Sequence, residues 1–319
     1  MMDGPSPSLQ PPACRPVPYL AFSFICLCWG ASFILMNRAS HALGPVDIAI
    51  GRMALGAATL AVYCAITRRW ARFSRNEILE LAAVSLLANS WPYVVQPYVM
   101  HQAGEHGFFG LMVAFVPLAT IAASIPILGV WPTPRQFLGV LGGLACAALI
   151  MWDGTHRGIS PRLLALSIST PITYAFGNIY IKWRFTHLPS APFTAVFLAL
   201  GAALLVPLEF MPTLLTRLRL SAPPAPHDWP LALASLAFLG IVGTGVAIVL
   251  FVYLVKTQGP LFAGMVTYVV PMLALVWGQF DGERLTIAQL ASIAGVLAMV
   301  ALVQWRSAVP VPPSAEPPA

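Results

Sequence analysis

The chain has 319 residues, of which 58% are hydrophobic and only 9% charged, against about 25% charged in an ordinary soluble domain. Its mean hydropathy is +0.80. So few charges cannot cover a soluble fold of this size, which excludes a cytosolic globular enzyme, and so much apolar content excludes disorder over most of the length. The net charge of +6 would raise nucleic acid as a partner of a soluble protein. Here the Lys and Arg residues are scattered singly, apart from Arg68, Arg69, Arg72 and Arg75. That group reads as a loop holding membrane topology. No RNA-binding or helix-turn-helix signature accompanies it, so no nucleic-acid partner is expected.

The two ends, 1–18 and 306–319, are rich in proline and read as disordered tails. The first lacks a basic region leading directly into a short apolar one, so the first helix reads as an uncleaved signal-anchor. Between the tails the apolar residues fall into ten spans: 19–37, 45–67, 77–100, 107–129, 134–152, 161–182, 191–211, 229–254, 260–280 and 285–305. At 1.5 Å per residue most can cross about 30 Å of hydrocarbon. The expected fold is an all-α integral membrane protein with ten transmembrane helices, in the cytoplasmic (inner) membrane. With both ends placed in the cytoplasm, the inside segments carry more Lys and Arg than the outside loops, which favours that orientation. The five cysteines, Cys14, Cys26, Cys28, Cys64 and Cys146, are odd in number and lie mostly in apolar runs. They read as packing residues rather than a disulfide framework.

The chain repeats itself. Leu55-Gly56-Ala57-Ala58 recurs 145 residues on as Leu200-Gly201-Ala202-Ala203, and the same shift pairs Trp29 with Tyr174 and Asn37 with Lys182. Gly110 and Pro117 pair with Gly264 and Pro271 at a shift of 154, and Gln136, Gly142 and Trp152 pair with Gln289, Gly295 and Trp305 at 153. The longer connection at 212–228 accounts for the change of shift. Two repeats, 19–152 and 161–305, would each hold five spans. Five is odd, so the second copy starts on the opposite face of the membrane, as in transporters whose substrate binds where inverted halves meet.

The stretch from Val266 to Ala301, with Pro271, the Gly282-Glu283-Arg284 turn, Gln289 and Gly295, resembles the end of an EamA domain. Cys28-Trp29-Gly30-Ala31-Ser32-Phe33, with Arg52 in the next span, resembles the opening of the same domain. The resemblance is to the EamA-type transporters of the drug/metabolite transporter superfamily. It implies two inverted five-helix EamA repeats and export or exchange of small metabolites across the cytoplasmic membrane. One departure stands out: the first copy reads Leu128-Gly129-Val130-Trp131-Pro132 where the second has its Gly-Glu turn. That argues against paired acidic sites doing the coupling.

Asn89, Tyr93 and Gln96 sit at i, i+4 and i+7 and share a helix face, interrupted by Pro92 and Pro97. A polar stripe beside freed carbonyls suits a substrate cavity; the bland alternative is interhelical hydrogen bonding. Tyr174 and Asn178, with repeat mates Trp29 and Phe33, could hold an organic solute by stacking and hydrogen bonding. Tyr268, three residues before Pro271, is a further cavity candidate. Arg52 is a charge inside a span, and contact with a substrate carboxylate and structural anchoring explain it equally well. Gly110, Pro117, Gly264 and Pro271 read as hinge or packing positions. Glu283, just before a helix start, reads as a structural turn residue. His101, Glu105 and His106 do not have the spacing of a metalloprotease motif, so no metal site is expected.

These features favour a secondary transporter of small organic metabolites such as amino acids, working by alternating access. A membrane-embedded enzyme or a receptor subunit is the alternative. An enzyme would need clustered catalytic side chains, and apart from the His101–His106 group none stand out. No phosphate-binding loop is present, so no nucleotide cofactor is expected. The expected partners are a small-molecule substrate and the lipid bilayer. Proton coupling and the choice between monomer and homodimer stay open.

Overall fold

The structure, a computed structural model, describes residues 16–103, 113–151, 160–223, 228–278 and 287–304. Every regular element among them is helical. In the first half these are α1 (Val17–Ala39), α2 (Pro45–Thr67), α3 (Arg75–Ser85), α4 (Trp91–Ala103), α5 (Val116–Leu128) and α6 (Pro134–Met151). The second half has α7 (Pro161–Arg184), α8 (Ser190–Glu209), α9 (Pro212–Leu218), α10 (Trp229–Gly240), α11 (Ala247–Gln258), α12 (Pro260–Gly264), α13 (Val266–Gly278) and α14 (Ile287–Gln304).

Helix starts follow local chemistry. Ser74 and Glu77 cap α3 reciprocally, with the Ser74 N–H donating to Glu77 Oε2 at 2.8 Å and the Glu77 N–H to Ser74 Oγ at 3.3 Å. Ser160 and Asp228 accept the first backbone donors of α7 and α10. Proline stands in the first turn of α2, α5, α7, α9, α10 and α12, where its missing N–H costs nothing.

Five helical stretches are long and apolar enough to cross a membrane: Val17–Ala39, Pro45–Thr67, Arg75–Val99, Ser190–Glu209 and Trp229–Gln258. Shorter apolar helices cover Val116–Leu128, Pro260–Leu273 and Ala294–Gln304. At 24 residues α7 is long enough but is not among the five. Ser167, Ser169, Thr170, Thr173 and Asn178 run through its middle. Its outer stripe, Leu164, Ile168, Ile172 and Phe176, is exposed, while Ser167, Thr170 and Asn178 are buried. Apolar side chains outside and polar ones inside is the arrangement that lipid as solvent selects. Trp70, Trp131, Trp183 and Trp229 are exposed at or beyond helix ends, where aromatic rings meet the headgroup layer.

Two elements differ from the sequence reading. The spans expected at 107–129 and 260–280 are not continuous helices. A turn at 114–115 precedes α5, and Met265 separates α12 from α13. The connection at 212–228 contains α9, closed by Arg219 in the left-handed region at φ 60°.

The two halves interlock rather than sit side by side. Helices α2 and α8, which carry the Leu-Gly-Ala-Ala repeats, pack along each other, as do α6 and α14. Helix α1 packs on α13, and its repeat mate α7 packs on α5.

The third long helix of each half opens into a π-turn. In the first half it spans Leu86–Ser90 between α3 and α4, with the Trp91 N–H donating to Leu86 O. It lies just before Pro92, which has no N–H to give Ala88 O, so the helix ladder is already broken there. In the second half the π-turn spans Ile241–Val246, between α10 and α11. Leu86 corresponds to Ile241, 155 residues on.

Each π-turn is gripped by the other half. Gly201 of α8 lies against the first, where a Cβ would meet Ser85 Oγ at 2.5 Å and Ser90 Oγ at 2.9 Å. Gly56 of α2 lies against the second, where a Cβ would come within 3.0 Å of the Gly245 nitrogen. The Gly-Ala repeat in the sequence is thus a pair of helix crossings. On the other side, Gly177 of α7 meets Ala88, and Ser32 of α1 meets Gly243.

A Cβ on Gly177 would overlap the Ala88 Cβ. Gly177→Ala is therefore expected to destabilise the protein by about 1–3 kcal/mol. A Cβ on Gly264 would meet nothing closer than Val116 Cγ1 at 3.8 Å, so Gly264→Ala should leave the unfolding midpoint unchanged. Thermal unfolding of both variants in detergent checks the pair.

Candidate functional site

A central cavity lies where the two π-turns and the helices that grip them converge. It leaves about 90 Å³ for the centres of water-sized molecules, room for several waters or a small solute. Its walls hold six aromatic rings, from Trp29, Phe33, Tyr93, Tyr174, Phe197 and Phe251. Among them sit the polar side chains of Ser32, Arg52, Asn89, Gln96, Asn178 and Thr267. No carboxylate lines it among the described residues.

Fourteen of the nineteen described lining residues fall into seven pairs related by the repeat. Trp29 pairs with Tyr174, Phe33 with Asn178 and Arg52 with Phe197, each 145 residues apart. Tyr93 pairs with Ile248 and Gln96 with Phe251 at the 155-residue shift of the π-turns. Val113 pairs with Thr267 and Val116 with Val270 at 154. The backbone repeats, while in five of these seven pairs one side chain is polar and its mate apolar.

Arg52 reaches the cavity from α2 and is 3% exposed. Its Nε donates to Thr244 Oγ1, in the second π-turn, at 3.3 Å. Its guanidinium carbon lies 4.1 Å from the centre of the Tyr93 ring, a cation–π contact. Trp29 Nε1 donates to Gly243 O in the same π-turn at 2.9 Å, and its ring lies 5.1 Å from that of Phe251. In the first π-turn, Ser90 Oγ donates to Gly201 O at 3.0 Å, and Ser85 Oγ, just before it, donates to Phe197 O at 2.6 Å. These contacts fix the wall. Two wall groups remain open: the Asn89 amide nitrogen and the Tyr93 hydroxyl are buried without a hydrogen-bond partner.

Of the expected cavity residues, Trp29, Arg52, Asn89, Tyr93, Gln96, Tyr174 and Asn178 lie on this one cavity. Tyr268 does not. It is fully buried between α13 and α6, where its hydroxyl donates to Val140 O at 2.7 Å. Its ring fills the space beside Gly143, where a Cβ would come within 2.6 Å of it. Tyr268 thus ties helices together, because a tyrosine this deep satisfies its hydroxyl on the nearest free carbonyl. Thr244, Phe197, Phe251 and Thr267 were not expected at the site. All four are repeat mates of residues on the cavity: Phe197 of Arg52 at 145, Thr267 of Val113 at 154, and Thr244 of Asn89 and Phe251 of Gln96 at the 155 that the π-turns reveal.

A second, wider cavity of about 350 Å³ lies further along α5 and α7, lined by Ser124, Leu128, Arg135, Gln136, Lys182 and Gln258 among others. Like the central one it has cations and no carboxylate among its described lining residues. Between the two, Gly264 faces Val116, Pro117 and Thr120 across the contact of α12 with α5. Pro271 lies within α13. Gly110, Glu283, Glu105 and His106, and the side chain of His101, lie outside the described residues. Among the described residues no group of three or more His, Cys, Asp or Glu is placed to hold a metal. Cys26, Cys28, Cys64 and Cys146 are free thiols.

A helical membrane fold, an internal repeat and a cavity at the junction of its copies define a transporter architecture. The sequence matches the EamA-like transporter family twice, over residues 17–152 and 162–305, and the chain belongs to that family. It is 23% identical over 293 residues to the uncharacterized transporter YvbV of Bacillus subtilis (strain 168), covering 90% of this chain and 92% of that one. It is 24% identical over 276 residues to the uncharacterized inner membrane transporter YedA of Escherichia coli (strain K12), covering 86% of each. A solved crystal structure superposes with a TM-score of 0.74 at 16% identity, covering 91% of this chain and 97% of the other. At that identity the likeness is one of fold.

Because the Asn89 amide and the Tyr93 hydroxyl have no protein partner, Asn89→Leu and Tyr93→Phe break no hydrogen bond. Stability should stay level or rise by about 1 kcal/mol, while substrate turnover falls at least tenfold. Ser90→Ala breaks the bond to Gly201 O and should cost about 1 kcal/mol of stability. Unfolding curves beside transport rates separate the two classes.

Proposed function

We propose that the protein is a secondary transporter that exports or exchanges small organic metabolites, such as amino acids, across the cytoplasmic membrane by alternating access. In this reading the two EamA copies form ten membrane-spanning helices in inverted orientation, with both chain ends in the cytoplasm. The observation that carries it is the central cavity, most of whose lining residues pair across the repeat and which holds buried polar groups with no partner among the described residues. A site on the junction of two equivalent halves can be opened to either face by exchanging their conformations. Family membership and the inner-membrane description of the Escherichia coli relative support the same reading.

The contact of Gly264 with Pro117 and Thr120 supports a barrier between the central cavity and the wider one. The breaks beside it, at 114–115 and Met265, give α5 and α12–α13 places to bend. Coupling to protons would need a titrating group that alternates with the cavity, and none of the described lining residues is a carboxylate.

Counterflow in proteoliposomes tests the function. Vesicles holding purified protein and a high concentration of one unlabelled amino acid or organic acid should accumulate that labelled solute transiently, and protein-free vesicles should not. Equal entry with and without protein, for the whole panel and from protein that still unfolds cooperatively, would overturn the reading.

A further inference from the structure

We infer that the central cavity selects a small organic solute bearing a single carboxylate, which it holds on Arg52, Asn89 and Tyr93, with the apolar body among the aromatic rings. This rests on the transport reading above. A guanidinium has five N–H donors in a planar fork. Among the described residues Arg52 uses one of them, Nε, on Thr244 Oγ1. Its face is covered by the Tyr93 ring, which leaves the terminal NH₂ edge to meet a ligand.

A buried cation is costly without a negative partner. None of the described residues lining the cavity is acidic, and no described carboxylate pairs with Arg52. Among the described residues the charge therefore lacks a counterion in the wall itself. Around it, the unpartnered buried groups are the amide nitrogen of Asn89 and the hydroxyl of Tyr93, both able to donate. A carboxylate has two oxygens and accepts about four hydrogen bonds. The guanidinium edge, the amide and the hydroxyl supply donors of that kind, with the bidentate geometry an arginine favours. A cationic solute would meet a like charge and the same surplus of donors. A dianion such as phosphate would bring two charges to a single arginine.

The remaining wall is aromatic and accepts an apolar or flat substituent. The wider cavity continues the pattern, because Lys182 is on its lining and no described acidic residue is. A cation with no described acidic residue on the same lining raises the local concentration of anions ahead of the site.

The test uses four forms of one solute: leucine, N-acetylleucine, leucinamide and N-acetylleucinamide, with the same four forms of phenylalanine. Two forms in each set carry a carboxylate and two do not, and acetylation removes the ammonium independently. Counterflow and ligand-induced thermal shift are measured on the full-length protein. The carboxylate forms should exchange at least tenfold faster than their amides and should raise the unfolding midpoint where the amides do not. Arg52→Gln should remove at least nine-tenths of that exchange, and Arg52→Lys should restore part of it. Amide forms exchanging within threefold of the acids would overturn the inference and leave the transport reading standing. Thermal shifts by the acids without any exchange would keep the carboxylate site and overturn the transport reading. Neither shift nor exchange, from folded protein, would overturn both. The unmodified protein decides between these outcomes even if an Arg52 variant fails to fold.

Discussion

The rest of the fold depends on how two widened helix turns are closed. In a bilayer each backbone donor and acceptor must find a partner within the protein. A π-turn displaces those groups from the regular ladder and is usually kept where function needs it. Here the turns at Leu86–Ser90 and Ile241–Val246 each lie against the opposite half, through Gly201 and Gly56 respectively. The interlocking of α2 with α8, and of α1 and α7 with the far half, follows from that exchange. It also makes the packing at the junction tight, which is why glycine recurs there.

The same two turns shape the cavity. The first brings Asn89 to its wall, the second brings Thr244 to Arg52, and Trp29 is tethered to the second by its indole N–H. Polar groups in the surrounding wall are paired within the protein: Ser85, Ser90 and Trp29 all donate to backbone carbonyls. Burying an amide or a hydroxyl without a partner costs about 1–3 kcal/mol. A wall that satisfies its neighbours and leaves Asn89 and Tyr93 open supports the proposed solute site. The repeat gives two of the polar groups apolar mates, Ile248 for Tyr93 and Phe197 for Arg52, so the cavity is symmetric in backbone and polarised in chemistry.

Much of this was legible in the sequence. The low charge and the apolar blocks mark the membrane, and the recurrence of Leu-Gly-Ala-Ala marks the two helices that cross the opposite π-turns. The i, i+4, i+7 spacing of Asn89, Tyr93 and Gln96 survives the π-turn that contains Asn89, because all three still reach one cavity. What was not legible depends on contacts between distant segments. Tyr268 has the look of a cavity residue, being aromatic and close to Pro271, yet its hydroxyl is taken by Val140, 128 residues away. Thr244 gives no sign in sequence of facing Arg52, since that contact needs both the π-turn and the crossing of α2. The breaks at 114–115 and Met265 fall inside uninterrupted apolar runs, where hydropathy does not distinguish one helix from two.

The claim that most needs testing is that the junction cavity opens to both faces of the membrane. The direct measurement is labelling of Val113→Cys, on the cavity lining, in protein whose own cysteines have been replaced, with a membrane-impermeant thiol reagent applied to either face of sealed vesicles. Reaction from both faces, slowed by a transported solute, is expected of a site that alternates. Reaction from one face only, or from neither while the detergent-solubilised protein reacts, would contradict it.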